Sequence, residues 1–220
     1  ERETGQIAVN LIYPSWVIFS NGFISANYLR NALDWLFNAV MAFVLLLLTW
    51  PIMLITAIFI KLEDGLKAPV LYSQERVGVD GQPFEIFKFR SMRLDAEKHG
   101  AQMASENDSR ITKVGNVLRK YRIDELPQLY NVFRGEMGFV GPRPERPEFT
   151  SIYESEIENY VDRSYVRPGI TGLAQIALMY DATAEEKLKY DLYYIKHRSF
   201  LLDLLILVRT VEIVLFGKGR

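Results

Sequence analysis

The sequence predicts a mainly helical α+β protein that is held at a membrane. Two observations predict this class: an uncharged apolar run of 26 residues from Trp35 to Ile60, and two short β-prone runs that flank the turn Val79–Gln82. A membrane helix needs about 20 apolar residues, so the first run is long enough to enter a bilayer. Most of the chain that follows the β-prone runs is expected to be helical.

The composition excludes several kinds of site. The chain of 220 residues has no cysteine and only two histidines, which removes disulfides, thiol catalysis and metal sites rich in cysteine or histidine. Any metal would have oxygen ligands, which favours Mg²⁺ or Mn²⁺. The net charge of −1 argues against a nucleic-acid partner. Residues 1–29 are expected to be a lead-in from a longer upstream region.

The apolar run contains Pro51, which removes a backbone hydrogen bond and bends a helix. A soluble core helix of this length would be unusual, so the run is interpreted as a membrane segment. Two arrangements remain open: a kinked span, and a re-entrant helix that breaks at Trp50–Pro51 and returns to the same side. The charged residues on the two flanks differ little in sign, so the positive-inside rule does not separate these arrangements.

The segment after the apolar run predicts a β-hairpin followed by a basic region. Asp80-Gly81 is a strong hairpin turn signal. Positive residues outnumber negative ones between Lys88 and Arg122. Residues 96–122 are expected to form a polar helix, a loop and a second helix. The basic region is interpreted either as a solvated face or as a phosphate-binding rim beside a membrane.

The last third of the chain predicts further helices around one loop. Residues 150–163 are acidic and expected to form a surface helix, whereas residues 166–175 are expected to form a turn-rich loop. A helix is expected to begin near Glu185. The tail over residues 199–216 is strongly apolar but carries three charges. It is therefore expected to be an amphipathic helix that lies at the membrane interface or packs on the domain.

Asp124 and Glu125 are adjacent acids ahead of an apolar helical stretch. Asp124 is expected to be an N-cap, with Pro127 in the first helical turn. A carboxylate at the positive end of a helix is stabilised in its ionised form, and it can act as a nucleophile or as a Mg²⁺ ligand. The alternative interpretation is a pair of solvated surface acids that only caps a helix.

Arg143 stands between two prolines in the stretch Gly141–Pro144. The prolines restrict the backbone, so the arginine loses little further entropy when its fork binds two phosphate oxygens. The alternative interpretation is a stiff loop with an exposed arginine.

Four longer stretches occur together in one order. They are QERVGVDGQPFEIFKFRSM, RIDELPQLYNVFRGEMGFVGPRP, VRPGITGLAQ and YDLYYIKHRSFLLDLLIL. In this order they resemble the bacterial sugar transferase family, the monotopic phosphoglycosyl transferases, from about residue 28 to the end of the chain. The preceding lead-in resembles the corresponding part of the larger, exopolysaccharide-type members.

This resemblance implies a reaction and its residues. A UDP-sugar would give its phosphosugar to polyprenyl phosphate, such as undecaprenyl phosphate, with release of UMP. Asp124 would form a covalent phosphosugar intermediate, Glu125 would be its acidic partner, and both would hold Mg²⁺. The residues implied to bind the substrates are Lys88, Arg90, Arg143, Arg167, Gln175 and Asp191.

The resemblance also implies a location. A re-entrant membrane helix over residues 30–62 would hold a catalytic domain over residues 63–220 at the cytoplasmic face of the bacterial inner membrane. Membrane lipid would be a further partner, and a homodimer is a candidate assembly. The reaction would be the first membrane step of exopolysaccharide or O-antigen synthesis.

Two departures from the family pattern bear on the sugar. Leu173 stands where many members carry Trp. The stretch after Gln175 lacks the Asn-Gly-Arg motif of members that act on amino or acetamido sugars, and this difference favours a plain hexose as the donor sugar. Three other functions stay open: a scaffold without activity, a direct glycosyltransferase that releases UDP, and a membrane-tethered nucleic-acid binder. The net charge disfavours the last of these.

Overall fold

The computed structural model describes residues 28–98, 100, 108–178 and 182–215. The expected lead-in therefore lies almost wholly outside the described residues. The described helices are α1 Tyr28–Asp64, α2 Lys113–Lys120, α3 Gln128–Phe133, α4 Pro147–Glu156, α5 Leu173–Ala177, α6 Ala184–His197 and α7 Phe200–Leu215. The strands are β1 Leu71–Val77, β2 Pro83–Phe89, β3 Gly138–Val140 and β4 Gly169–Thr171. The fold is mainly helical, and its strands form two small sheets, which confirms the α+β class.

Helix α1 contains the predicted apolar run. Among the described residues, Ala32–Asp64 is the one helical stretch whose length and composition would let it cross a membrane. Pro51 lies inside α1, and helical backbone continues on both sides of it. Most large apolar side chains of α1 are exposed, including Leu48 at 68% and Trp50 at 58%. An exposed apolar surface of this extent is characteristic of a membrane or protein contact.

Both halves of α1 pack against one small α+β domain. In the first half, Ala42 is buried in a cluster with Ile86 of β2 and Val132 of α3. In the second half, Ile60 is buried in a cluster with Phe89 of β2. The two clusters therefore share strand β2, although the α1 residues that join them are far apart along the helix.

Polar contacts hold both ends of α1 on that domain. Near its start, Asn38 Oδ1 accepts a hydrogen bond from the backbone N–H of Phe139 at 2.9 Å. At its end, the Glu63 carboxylate accepts hydrogen bonds from the N–H groups of Lys113 and Val114 at 2.8 and 2.9 Å. These bonds satisfy amide groups that the first turn of α2 leaves without helical partners.

The predicted β-hairpin is confirmed. Strands β1 and β2 pair antiparallel along their whole length. The turn between them places Asp80 at φ 53° and Gly81 at φ 74°. This left-handed region is open to Gly and tolerated by Asp, which explains the signal that these two residues provide. The hairpin directs the end of β2, with Lys88, toward α3.

A second sheet was not expected. Strands β3 and β4 pair in parallel, with Gly138 opposite Gly169 and Val140 opposite Thr171. The turn-rich loop predicted over residues 166–175 is therefore wrong in part, because β4 and the beginning of α5 lie there. Strands of three residues are too short to show alternation in a sequence.

The other helical predictions differ in accuracy. Helix α6 begins where expected, and Thr183 and Glu186 exchange hydrogen bonds as a capping box. The surface helix expected over residues 150–163 is divided into α4 and a 3₁₀ stretch, Tyr160–Tyr165. The polar helix expected after residue 95 is wrong for residues 96–98, which form turns. Helix α7 buries Ile206 against α6 and exposes an apolar face.

Candidate active site

A tight turn before α3 places the acid pair. Arg122 has φ 55°, in the left-handed region, and the 3₁₀ turn Ile123–Glu125 follows it. This change of direction lays the turn against the end of β2, and the side chains of Asp124 and Glu125 are both buried. Buried adjacent carboxylates are uncommon unless they have partners or a function.

The N-cap prediction for Asp124 is wrong. Helix α3 begins at Gln128, with Pro127 at its N-cap position and no side-chain capping bond. The 3₁₀ turn that contains Asp124 has Arg122 at its own N-cap position. The chain reverses at Arg122, so Asp124 lies inside the turn and its carboxylate has no capping role.

Glu125 lies at the centre of three cations. Its Oε1 is 2.7 Å from Nη2 of Arg143 and 3.6 Å from Nζ of Lys88, and its Oε2 is 3.6 Å from Nη1 of Arg122. Burial alone would raise the pKa of Glu125, but the three cations together hold it well below its ordinary value. Glu125 therefore acts as the ionised counter-ion of these cations at neutral pH.

Asp124 has a different environment from its neighbour. Its Oδ1 is buried and accepts no hydrogen bond within the described part of the chain. Burial, together with the charge of Glu125, raises the pKa of Asp124, and Lys88 and Arg119 oppose this effect. A desolvated carboxylate with an unpartnered oxygen has the properties of a nucleophile or of a metal ligand.

Lys88 approaches the acids from the end of β2. Its side chain is 17% exposed. Burial lowers the pKa of Lys88 to about 8, although the Glu125 carboxylate favours the charged form. Lys88 is thus a cation at neutral pH and loses its proton in mildly alkaline solution.

Arg143 completes the group and approaches the same Glu125 oxygen as Lys88. The flanking residues Pro142 and Pro144 are buried. The Glu125 carboxylate raises the pKa of Arg143 further above its ordinary value. The Arg143 side chain nevertheless remains 34% exposed.

Arg90 and Arg167 do not contact the acid pair. Nε of Arg90 is 3.3 Å from Oδ2 of Asp64, which ties the end of β2 to the end of α1. Burial and the charge of Arg198 lower the pKa of Arg167, while Asp34 opposes this, so the Arg167 side chain lies near the start of α1. Substrate contacts of both arginines stay predictions.

Gln175 and Leu173 belong to the domain interior near β4. Nε2 of Gln175 donates to the carbonyl of Ile170 at 2.9 Å. Leu173 is buried in a cluster with Tyr190 and Tyr194. The departure from the family pattern at Leu173 is therefore a difference at a packing position, and a substrate contact of Gln175 stays a prediction.

Asp191 supports the site from behind. Its carboxylate is buried, and Oδ2 is 2.8 Å from Nη2 of Arg163. Burial raises the pKa of Asp191 to about 6, and Arg163 opposes the shift. Arg163 in turn donates to the backbone carbonyl of Arg143 at 2.8 Å. Asp191 is thus connected to the acid pair through Arg163 and Arg143, and its predicted substrate contact stays a prediction.

Three residues of the site were missed by the sequence reasoning. Arg122 contacts Glu125, and Arg119 lies near enough to Asp124 to lower its pKa. Nε2 of Gln128, one helical turn after Asp124, is buried without a hydrogen-bond partner among the described residues. Both arginines lie in the basic region recognised in the sequence, and their short spacing before the acid pair was the available signal.

The two acids are not equally suited to bind Mg²⁺. Mg²⁺ is commonly bound by one or two carboxylates together with substrate phosphates and water. The unpartnered Oδ1 of Asp124 suits such a role. Glu125 suits it less, because its two oxygens already face Arg143, Lys88 and Arg122. The described residues contain no group of three or more metal-ligating side chains, so substrate oxygens would have to complete the shell.

The charges of the site favour a polyanionic ligand. Four cationic side chains, those of Lys88, Arg119, Arg122 and Arg143, act on two carboxylates and leave an excess of positive charge. Preorganised cations in a water-poor site stabilise the charge that develops on phosphoryl oxygens. The arrangement can therefore bind a diphosphate beside a buried carboxylate.

Comparisons with known proteins agree with this chemistry. The model of the family described as "Bacterial sugar transferase" matches residues 29–217. UDP-N-acetylgalactosamine-undecaprenyl-phosphate N-acetylgalactosaminephosphotransferase of Aeromonas hydrophila is 48% identical over 172 residues, which are 77% of this chain and 40% of that protein. UDP-glucose:undecaprenyl-phosphate glucose-1-phosphate transferase of Xanthomonas campestris pv. campestris is 38% identical over 224 residues, which are 99% of this chain and 44% of that protein.

A shorter relative is matched over most of its length. The uncharacterized sugar transferase EpsL of Bacillus subtilis (strain 168) is 40% identical over 184 residues, which are 84% of this chain and 88% of that protein. By contrast, the chain spans about two fifths of the length of the Aeromonas and Xanthomonas relatives.

Proposed function

Because the chain belongs to the bacterial sugar transferase family, we propose that it transfers a sugar 1-phosphate from a UDP-sugar to undecaprenyl phosphate or a similar polyprenyl phosphate and releases UMP. The names of the Aeromonas and Xanthomonas relatives describe reactions of this type. One observation in this chain carries the proposal: the buried Asp124 has an unpartnered oxygen beside the ion pair of Glu125 and Arg143.

The first half-reaction forms a covalent intermediate on Asp124. A carboxylate oxygen attacks the phosphorus that carries the sugar, the bond from this phosphorus to the bridging oxygen breaks, and UMP leaves with the electron pair. The Arg143 guanidinium and the Lys88 ammonium offset the charge that grows on the leaving group. Glu125 keeps both cations in place.

The second half-reaction regenerates the carboxylate. A phosphate oxygen of the polyprenyl phosphate attacks the same phosphorus, and the bond to Asp124 breaks. Division into two steps lets one small site serve a soluble donor and a lipid acceptor in turn, because UMP leaves before the lipid phosphate enters. The order of events predicts ping-pong kinetics.

A bound Mg²⁺ would neutralise diphosphate charge and polarise the phosphorus under attack. Asp124 is the residue best placed to hold Mg²⁺, because its Oδ1 has no hydrogen-bond partner among the described residues. Glu125 contributes by holding the three cations, and a direct bond from Glu125 to the metal would require it to give up one of them.

The membrane arrangement that we propose is a re-entrant α1 with both ends at the cytoplasmic face. From Asn38 to Asp64 a straight helix would rise about 39 Å, more than the hydrocarbon thickness of about 30 Å. Both residues contact the same domain, which carries the charged site. A straight span would place its ends on opposite sides of the bilayer, so these contacts support a helix that turns back near Pro51.

We propose a plain hexose as the donor sugar, because the stretch after Gln175 lacks the motif of members that act on amino or acetamido sugars. The relatives include one named for UDP-glucose and one named for UDP-N-acetylgalactosamine. A panel of donors must therefore contain both kinds of sugar. The proposed pathway, the first membrane step of exopolysaccharide or O-antigen synthesis, depends on which donor is used.

The test is the identity of the released nucleotide. The detergent-solubilised chain is mixed with Mg²⁺, undecaprenyl phosphate and UDP-glucose, UDP-galactose or UDP-N-acetylgalactosamine in turn. The expected result is release of UMP with one sugar, at about one equivalent per chain without the lipid and with continued turnover only when the lipid is present. Release of UDP would show direct glycosyl transfer, and the absence of both nucleotides with every donor would overturn the proposal for this chain.

A further inference from the structure

The loop that carries Arg143, residues 141–145, is held by a hydrogen bond to the backbone of each of its five residues. The five bonds are Gly141 N–H to Thr171 O, Gly169 N–H to Pro142 O, Arg163 Nη2 to Arg143 O, Arg76 Nη1 to Pro144 O, and Val77 N–H to Glu145 O. These bonds come from three separate parts of the chain. Two of the donors are side chains, and both are arginines.

Arg163 holds the carbonyl of Arg143 itself. The Nη2–O distance is 2.8 Å, and the Arg163 side chain is 11% exposed. Its charge is balanced by Asp191 at 2.8 Å, and Nη1 donates to the hydroxyl of Tyr160. The Arg163 guanidinium is thus held by Asp191 and Tyr160 as well as by the loop, so it can keep the loop at a defined position.

Arg76 holds the next residue from the opposite side. Its Nη1 donates to the carbonyl of Pro144 at 3.0 Å, and Nη2 donates to Gln74 within the same strand. The Glu145 carboxylate is 3.7 Å from Nη1. Burial and the nearby charge of Arg143 lower the pKa of Arg76 to about 10, so two cations are held close together there despite their repulsion.

We propose that Arg76 and Arg163 are positioning residues of the site, which hold consecutive carbonyls of the loop and so fix the Arg143 guanidinium opposite Glu125. This inference rests on the proposed function, since it concerns how the same site binds the donor diphosphate. Neither residue forms a hydrogen bond or ion pair with Asp124 or Glu125: Arg163 contacts Asp191, Tyr160 and the loop, and Arg76 contacts β1 and the loop.

The physical reason for such a device is the geometry of Arg143. Pro142 and Pro144 lack N–H groups, so the loop around Arg143 cannot be held by its own amides in the usual way. Hydrogen bonds from Arg76 and Arg163 to the loop carbonyls hold this part of the loop instead. An arginine fork in a ligand site must be placed to within about 0.5 Å, and an error of about 1 Å can reduce the rate about 100-fold.

The test uses conservative variants. Arg163→Lys keeps the charge opposite Asp191 but shortens the reach and removes the fork, and Arg76→Lys does the same on the other side. Arg146→Lys is the matched control, because the Arg146 side chain is also 11% exposed and its guanidinium pairs with Glu97 and Glu148 instead of with the loop carbonyls. We expect kcat/KM for the UDP-sugar to fall about 10- to 100-fold in the first two variants and by less than about twofold in the control.

A double-mutant cycle separates positioning from general stability. Arg163→Lys is combined with Arg143→Ala, and both kcat/KM and the Kd of UMP are measured. If Arg163 acts through Arg143, its substitution has less than about a twofold further effect once the Arg143 side chain is removed. A purely structural role would instead lower kcat/KM and raise the Kd of UMP by the same factors in either background.

Each outcome decides the proposal. Additive losses, or normal kcat/KM in both lysine variants, would overturn it. If Arg163→Lys does not fold, the same cycle with Arg76→Lys gives the answer. If the unsubstituted chain releases no UMP, the proposed function fails, and the cycle on UMP binding still tests whether Arg76 and Arg163 act through Arg143.

Discussion

The guanidinium of Arg143 lies 2.7 Å from the carboxylate of Glu125, across a separation of 18 residues in the chain. This ion pair joins the turn that carries the two acids to the proline-flanked loop. It also divides the acids by role, because Glu125 is committed to cations while Asp124 keeps an unpartnered oxygen. The two adjacent acids thus have different roles: Glu125 provides a fixed negative charge, and Asp124 provides the reactive carboxylate.

Substitution of Glu125 by Gln should reduce activity strongly. The variant leaves Arg143, Lys88 and Arg122 without their shared counter-ion, and the loss of one member of a buried ion pair typically costs about 3–5 kcal/mol. We expect kcat/KM to fall by at least about 100-fold. Glu75→Gln, at an exposed position of β1, is the control and should be neutral. Equal activity of the two variants would show that Glu125 is not needed to hold the cations.

Substitution of Asp124 by Asn should abolish turnover without loss of the fold. The pKa of Asp124 is raised in the folded state, so its ionisation opposes folding, and stability falls as the pH rises from the unfolded-state pKa to the folded-state value. Asn does not ionise, and the variant should therefore unfold at an equal or higher temperature at neutral pH. Thermal unfolding and UMP release measure the two effects, and near-normal UMP release would reject Asp124 as the nucleophile.

The activity should decline in mildly alkaline solution. The pKa of Lys88 is lowered to about 8, so Lys88 loses its charge, and with it the stabilisation of the donor diphosphate, as the pH rises through this value. Arginine stays protonated throughout this range. A profile of kcat/KM against pH should show an alkaline limb near pH 8 that moves to higher pH in Lys88→Arg. Lys67→Arg, at an exposed position, should leave the limb unchanged.

Gly135 is expected to be required for the contact between α1 and the domain. Its φ is 79°, and an added Cβ would collide with the indole of Trp35. Gly65→Ala is the matched control, since Gly65 has φ 89° and open space around it. Both variants incur a backbone penalty of about 1–2 kcal/mol, and Gly135→Ala should lower the unfolding temperature further. Equal shifts in the two variants would mean that the Trp35 contact adds nothing to stability.

The orientation of α1 can be tested because the chain contains no cysteine. Single cysteines are introduced at Leu33 and Leu66, which are exposed on either side of the apolar run. A membrane-impermeant thiol reagent is then applied to intact and to opened cells. Re-entrant insertion predicts that both sites react only after opening, whereas reaction of one site from outside would establish a full span.

The sequence was sufficient for the elements whose signals are local. The hairpin is recognisable because Asp80-Gly81 matches the left-handed turn it must form, and the start of α6 because Thr183 and Glu186 form a capping box. The apolar run is recognisable because nothing in it is charged. Family resemblance located Asp124, Glu125, Lys88 and Arg143, and the structure brings these four together.

The sequence by itself therefore determined that this protein has an apolar helix suited to a membrane, a β-hairpin, and an acid pair followed by a clamped arginine. Only the tertiary structure decided which partner each charge has. Asp191 faces Arg163 and Arg90 faces Asp64, because side chains pair with whatever the packed elements bring within reach. The parallel pairing of β3 with β4 was also invisible, since it joins segments of three residues that are distant in the chain. Burial raises the pKa of both Asp124 and Glu125, and the net shifts are opposite because Glu125 forms ion pairs with Arg143, Lys88 and Arg122.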